Sequence, residues 1–402
     1  MACLLSAGIA GCQTAPDKQP GKPSNFGEDA AFLSQHLKNV VVLQLPGDSS
    51  RVAVTGDYQA RVMTSSASGD AGNSFGWINY DLVASGKLTP HINAFGGEER
   101  FWLGPEGGQY ALYFPPGKPY EFEHWQTPGM IDTAHYAVKS QQAGEVTYAY
   151  DGTIQNHAGY TFNIGVERTV RLLGRDAIAQ RLQVQLPEGL RSVAYETENS
   201  ITNKGDSAWQ EQTGIPSIWL LGMFKPSDQT AVVAPFRPGA DSRKLITDDY
   251  FGKIPAQNLQ VKDSILLFRA DGKARGKLGI APGIAKSGAG SIDLANNSIT
   301  VLLYEIWPEG KYVNSKWEEQ KEPYKGDAVN CYNDGPLADG TQMGPFYEVE
   351  SSSDAVALKP GEARHYRQVT MHFEGDRAAL QALAMQLWQL PLDSVQQFLQ
   401  QK

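Results

Sequence analysis

The chain has 402 residues, 41% of them hydrophobic and 20% charged, which supplies enough apolar material for a large core and argues against intrinsic disorder. Its formal net charge is -9 and no run of lysine or arginine breaks that balance, so nucleic acid is not expected as a partner. Forty-one glycines and twenty-three prolines favour many short strands joined by turns.

The chain opens on "MACLLSAGIAGC", a short apolar run ending in Ile9-Ala10-Gly11-Cys12, which resembles a bacterial lipobox. The resemblance implies a signal peptide over residues 1–12 and lipidation at Cys12, with Gln13 after the cysteine implying outer-membrane sorting. Residues 13–27, rich in Pro, Gly and Lys, read as the spacer that holds an anchored domain off a membrane. The expected location is therefore the bacterial cell envelope, reached through a lipid anchor; no later apolar run is long enough to span a bilayer. With Cys3 in the leader and Cys12 acylated, Cys331 is left alone as a plain buried thiol, because "VNCYNDG" offers no His or Lys to activate it.

From residue 28 onward the sequence predicts one domain to the C-terminus. "EDAAFLSQHLKN" reads as a short helix, after which β-branched stretches bounded by Gly, Asp and Ser take over. They begin with "NVVVLQL", "RVAVTG" and "YQARVMTSS" and recur through "YTFNIGVERTVRLL", "AIAQRLQVQL" and "SITVLLYEIW" to "ARHYRQVTMHF". With no helices alternating between them, the plan is a large antiparallel sandwich rather than a parallel sheet. A single C-terminal helix is predicted over 376–390, with Asp376 as its cap, Leu380, Leu383, Leu387 and Leu390 as its buried stripe, and Pro391 as its stop.

Three stretches are dense in polar and aromatic groups. In "HINAFGGEERFWLGPEGGQYALYFPPG", residues 91–117, Glu98, Glu99, Arg100, Trp102 and Glu106 crowd between two glycine pairs. Aromatic rings beside charged forks suit sugars, since ring faces stack on C–H groups and the forks bind hydroxyls; a polar rim loop with one buried Trp is the alternative. In "NSKWEEQKEPYKGDAVNCYNDGP", residues 314–336, carboxylates sit among Trp317, Asn330 and Tyr332. This reads as a sugar subsite or as a solvated loop, while the oxygens of Asp327, Asn330, Asn333 and Asp334 offer a Ca²⁺ alternative in a chain for which no cofactor is otherwise expected. In "GPFYEVESSS", alternation puts Phe346, Glu348 and Glu350 on one face, where two carboxylates are either wet, paired, or shifted in pKa for acid–base work. The seven histidines are scattered without metal-ligand spacing.

"FYEVES" followed by "LKPGEARHYRQVTMHF" resembles the closing strands of galactose mutarotase-like proteins. "GGEERFWLGPEGG", "KLGIAPGIAKSGAGSID" and "EPYKGDAVNCYNDGP" are similar to a bacterial family of unknown function assigned to that same supersandwich fold. The resemblance implies an all-β, large antiparallel β-supersandwich with a C-terminal helix, and puts Glu348 where mutarotases carry the base that deprotonates the anomeric hydroxyl. Asn203 and Lys204 stand where the family's histidine motif would be, and Phe95 replaces another expected histidine. The reading is thus a carbohydrate-active envelope lipoprotein, an epimerase, lyase or hydrolase. Glu348 is its base, Asp327 or Tyr332 its acid, and Glu98, Glu99, Arg100, Trp102, Trp317 and Asn330 are its sugar contacts. The alternatives are a non-catalytic glycan-binding lipoprotein and a structural envelope protein.

Overall fold

Period-two stretches rich in Val, Ile, Thr and aromatic residues fold as strands because each can bury one face and hydrogen-bond both edges. The computed structural model describes residues 25–401. The leader, Cys12 and residues 13–24 of the expected spacer lie outside the described residues. Residue 25 already belongs to the fold: the Asn25 side chain accepts a hydrogen bond from the Glu28 N–H at 2.8 Å and caps the helix Phe26–His36. That helix buries Phe26 and Leu33 against Met63, Ile78 and Phe95 beside a small antiparallel sheet of Val40–Leu43, Arg51–Thr55 and Arg61–Ser66.

Two larger antiparallel sheets form the body. One has ten strands, in the spatial order Leu259–Lys262, Ile265–Arg269, Thr230–Pro235, Ala289–Asp293, Ser298–Tyr304, Ala363–Glu374, Arg191–Asn203, Thr161–Leu172, Glu145–Gln155 and Ala137–Gln142. The other has six: Ile246–Thr247, Gly276–Ile280, Val329–Asn333, Tyr347–Ser352, Ser217–Leu221 and Arg100–Gly104. They share one core, to which the six-stranded sheet contributes Phe101, Leu103, Ile218, Leu220, Leu278, Cys331, Tyr347 and Val349. The Cys331 thiol is fully buried there, and burial pushes its pKa up.

The other face of the ten-stranded sheet is covered by helices. Arg377–Trp388 is capped by Asp376, whose side chain accepts from the Ala379 N–H at 2.8 Å, and its Leu380 and Leu383 pack on Val233, Met371 and Phe373. Pro391 ends this helix as expected. It also precedes a second one, Leu392–Leu399, where Leu392, Val395 and Phe398 repeat every three residues on the same apolar surface. "AIAQRLQVQL", expected as a strand, is instead the helix Arg175–Leu182 up to Leu182, ended by Gln183 at φ 57°. Ile178 and Leu182 are four apart and share a helical face; the alternation of Leu182, Val184 and Leu186 imitated a strand only beyond the helix end.

Candidate functional site

In the strand Tyr347–Ser352, alternation sends Tyr347 and Val349 into the core and turns Glu348, Glu350 and Ser352 to the opposite face of the six-stranded sheet. Cross-strand register extends that face. Tyr332 stands opposite Glu348 and Asn330 opposite Glu350. Trp219 is opposite Ser352, Trp102 opposite Trp219, and Lys277 opposite Tyr332. Over this face opens a cleft of about 900 Å³. Trp219, Lys277, Asn330, Tyr332 and Ser352 line it from the sheet, and Glu106, Tyr250, Trp317, Asp327 and Asp334 from the segments that wall it.

The floor is a ladder of opposite charges. Glu348 is ion-paired with Arg100, whose guanidinium lies 4.6 Å from the Trp102 ring centroid. One step along, Glu350 accepts from the Trp219 indole N–H at 2.9 Å and pairs with the Lys277 ammonium at 3.1 Å. Glu348 is 5% exposed. Burial raises its carboxyl to about 8; Glu350 adds to that rise, while Arg100 and Lys277 oppose it. Burial pulls the Lys277 ammonium down, but Glu350, Glu106 and Glu348 more than reverse this and leave it raised.

On the wall, burial raises the Asp327 carboxyl to about 6, even though the Tyr250 hydroxyl donates to it at 2.6 Å. Glu106 is likewise raised by burial and by Glu350, with Lys277 opposing. The Tyr332 hydroxyl donates to Asp334 at 2.6 Å, and burial together with that carboxylate pushes its pKa far up, so its proton stays where it is. Trp317 continues a row of rings, with its centroid 6.0 Å from that of Trp125 and their planes 23° apart.

Several residues singled out in the sequence converge here. Asp327, Asn330, Tyr332 and Trp317 line the cleft, while Glu348, Arg100 and Trp102 lie in its floor beneath the lining side chains. Glu98 and Glu99 are corrections. Both turn into the space between the large sheets, where each already has partners. Glu99 accepts from Arg168 at 2.7 Å and from Gln368 at 2.7 Å, and Glu98 from Ser65 at 2.9 Å, with His372 Nε2 at 3.0 Å. The oxygens expected to share a Ca²⁺ do not gather on one face. Asn330 faces the cleft, whereas Asn333, three positions on, faces away and uses its amide on Asp271, Ala274 and Gly272. Tyr332 is placed as a lining group rather than an acid, because its proton is committed to Asp334.

The sequence reading missed Trp219, Tyr250 and Lys277. Each stands alone in its own segment; only the alternation of "GKLGI" and "SIWLL" signals an outward Lys277 and Trp219.

This frame has relatives. The model of a family of unknown function, DUF6786, matches residues 24–399. The chain belongs to this family. No curated protein matches its sequence. Among solved structures it is similar to the Slr1438 protein of Synechocystis sp. PCC 6803, at 12% identity over 84% of this chain and 96% of that one, with a TM-score of 0.50. It is also similar to a protein of Escherichia coli K12 provisionally named an aldose 1-epimerase, at 11% identity over 84% of this chain and 99% of that one, with a TM-score of 0.49. A galactose mutarotase-like protein of Lactobacillus casei ATCC 334 matches at 12% identity over 84% and 99% of the two chains, with a TM-score of 0.47. The fold is the antiparallel β-supersandwich expected from the sequence, and its neighbours are galactose mutarotase-like.

Proposed function

We propose that the cleft over the six-stranded sheet is a carbohydrate site and that the protein acts on the sugar by proton transfer. The observation that carries this reading is the composition of the lining: the rings of Trp219, Trp317 and Tyr250 stand with the carboxyls of Glu106 and Asp327, the Asn330 amide and the Lys277 ammonium. Ring faces take up the C–H faces of a pyranose, and the polar groups match its hydroxyls. The mutarotase-like neighbours support the same ligand class.

Two carboxyls with displaced pKa values give the site its acid and its base. At neutral pH Asp327, near 6, is ionised and takes a proton, and Glu348, whose pKa burial and Glu350 raise, is the partner that gives one. This reverses the roles expected from the sequence, in which Glu348 is the base and Asp327 an acid. No histidine lines the cleft among the described residues; its titratable lining includes the carboxyls of Glu106, Asp327 and Asp334 and the Lys277 ammonium. A non-catalytic sugar-binding protein is the second reading, favoured by the seating of Glu348 beneath the wall in its pair with Arg100. Presentation at the outer membrane through Cys12 completes the proposal, and its check is incorporation of labelled palmitate that is lost in Cys12→Ser.

The test is a glycan array followed by product analysis of each hit by proton NMR. Binding with a change in anomer ratio or linkage supports an enzyme, binding without product a binder, and no binding to any glycan overturns the carbohydrate reading.

A further inference from the structure

Of nine large hydrophobic side chains exposed among the described residues, four line this single cleft: Phe122, Phe251, Leu337 and Met343. Isolated exposed apolar residues need no explanation, but their concentration at one opening marks a contact surface. Three of the four cluster at the end marked by Tyr332 and Asp334. Phe251 meets the Tyr332 ring edge-on at 5.9 Å, Leu337 follows Asp334 by three residues, and Met343 precedes Gly344, whose N–H donates to Asp334 at 3.0 Å.

The loop carrying Leu337 and Met343 is fixed at its base. The Leu337 N–H donates to the Thr341 carbonyl at 2.8 Å, and the Gln342 amide donates to the Gly272 carbonyl at 2.8 Å. Gly344 lies so close to Trp77 that an added Cβ would stand 2.2 Å from its ring. The backbone therefore holds Leu337 and Met343, 46% and 40% exposed, at the lip instead of letting them fold into the core. Aliphatic groups of this kind do not recognise sugar hydroxyls. Glu106, Trp317 and Lys277, the last beside Tyr332 on the sheet, supply the polar and aromatic groups that do.

We infer that the cleft takes an amphiphilic glycoside, its sugar against Glu106, Lys277 and Trp317 and an apolar aglycone against Phe251, Leu337 and Met343. This inference rests on the carbohydrate reading above and names the class of its ligand.

The test is isothermal titration calorimetry of the full protein with methyl and octyl β-D-glucopyranosides, galactopyranosides and mannopyranosides below their micelle-forming concentrations. Octyl triethylene glycol ether serves as the sugar-free control. At least one octyl glycoside is expected to bind about tenfold or more tightly than its methyl counterpart, and the double variant Leu337→Ser, Met343→Ser is expected to abolish that advantage. Both positions are exposed, so the variant keeps its core. Equal affinity for methyl and octyl forms overturns the inference and leaves the sugar site standing. An octyl advantage that survives in the double variant, or equally tight binding of the sugar-free ether, also overturns it. Failure of all six glycosides to bind overturns it too, and together with an empty glycan array removes the sugar site.

Discussion

The space between the two large sheets and the floor of the cleft each hold a buried glutamate closed by an arginine, yet the surroundings differ. Glu99 and Arg168 are both fully buried, both carboxylate oxygens are engaged, and Arg168 also donates to the Ala60 carbonyl at 3.0 Å and to Asn199 at 2.8 Å. At Glu348 the ion pair is in place, but Arg100 Nε, Trp102 Nε1 and Ser217 Oγ are buried with no hydrogen-bond partner among the described residues. The Glu99–Arg168 pair is saturated although Glu98 Oε1 and Tyr195 Oη in the same space are not, so the floor is set apart by lying under an open cleft, where unpaired groups retain capacity for a ligand. Polar density in the sequence marks both and does not separate them.

Four substitutions break or sharpen that contrast. The largest effect is expected at the saturated cluster, where Glu99→Ala leaves Arg168 charged and unpaired in the core. Urea unfolding should show a loss of about 3–5 kcal/mol, and a loss below about 1 kcal/mol would remove the structural role given to Glu99. At the cleft floor, Glu348→Gln should lower turnover of any sugar substrate by about a hundredfold or more while binding persists. Unchanged turnover would remove Glu348 from the chemistry.

Asp327→Asn sharpens the comparison through pH. The folded protein holds the Asp327 proton up to about 6, whereas an unfolded Asp releases it near 4, so this group stabilises the fold fully below about pH 4 and the contribution fades as pH rises through 6. The wild type should therefore lose roughly 2–3 kcal/mol of stability across that window that Asp327→Asn does not lose, and the acid limb of a pH–rate profile near 6 should vanish in the variant. A limb that persists assigns it to another group. The smallest effect is expected for Trp317→Ala, which removes one stacking ring and should weaken sugar binding by about 1 kcal/mol, roughly fivefold in Kd.

Much of this was legible in local sequence. Strand alternation gave Glu348 and Glu350 their common face, Asp376 and Pro391 bounded the helix Arg377–Trp388, and Asp327, Asn330 and Tyr332 lie within six residues of one another, so one segment carried them all to the wall. What was not legible depends on long-range register. Lys277 meets Tyr332 and Trp219 meets Trp102 across strands distant in the chain, and no local pattern records those pairings. Strands such as Gly276–Ile280 and Ala289–Asp293 escaped notice because glycine replaces the β-branched residues that mark a strand. At Gly290 the reason is packing, since an added Cβ would lie 1.9 Å from the Thr300 carbonyl oxygen of the neighbouring strand. Glu98 and Glu99 were misplaced because a run of charges looks the same whether it meets solvent or another sheet's Arg168 and His372.

The account stands on a sugar occupying the hollow above the six-stranded sheet. A crystal structure of the protein soaked with the tightest ligand from the glycan array tests this directly. It should show a pyranose ring against Trp317 or Trp219, with hydroxyls within hydrogen-bonding reach of Asp327 or Asn330. A sugar seated anywhere else on the molecule would contradict it.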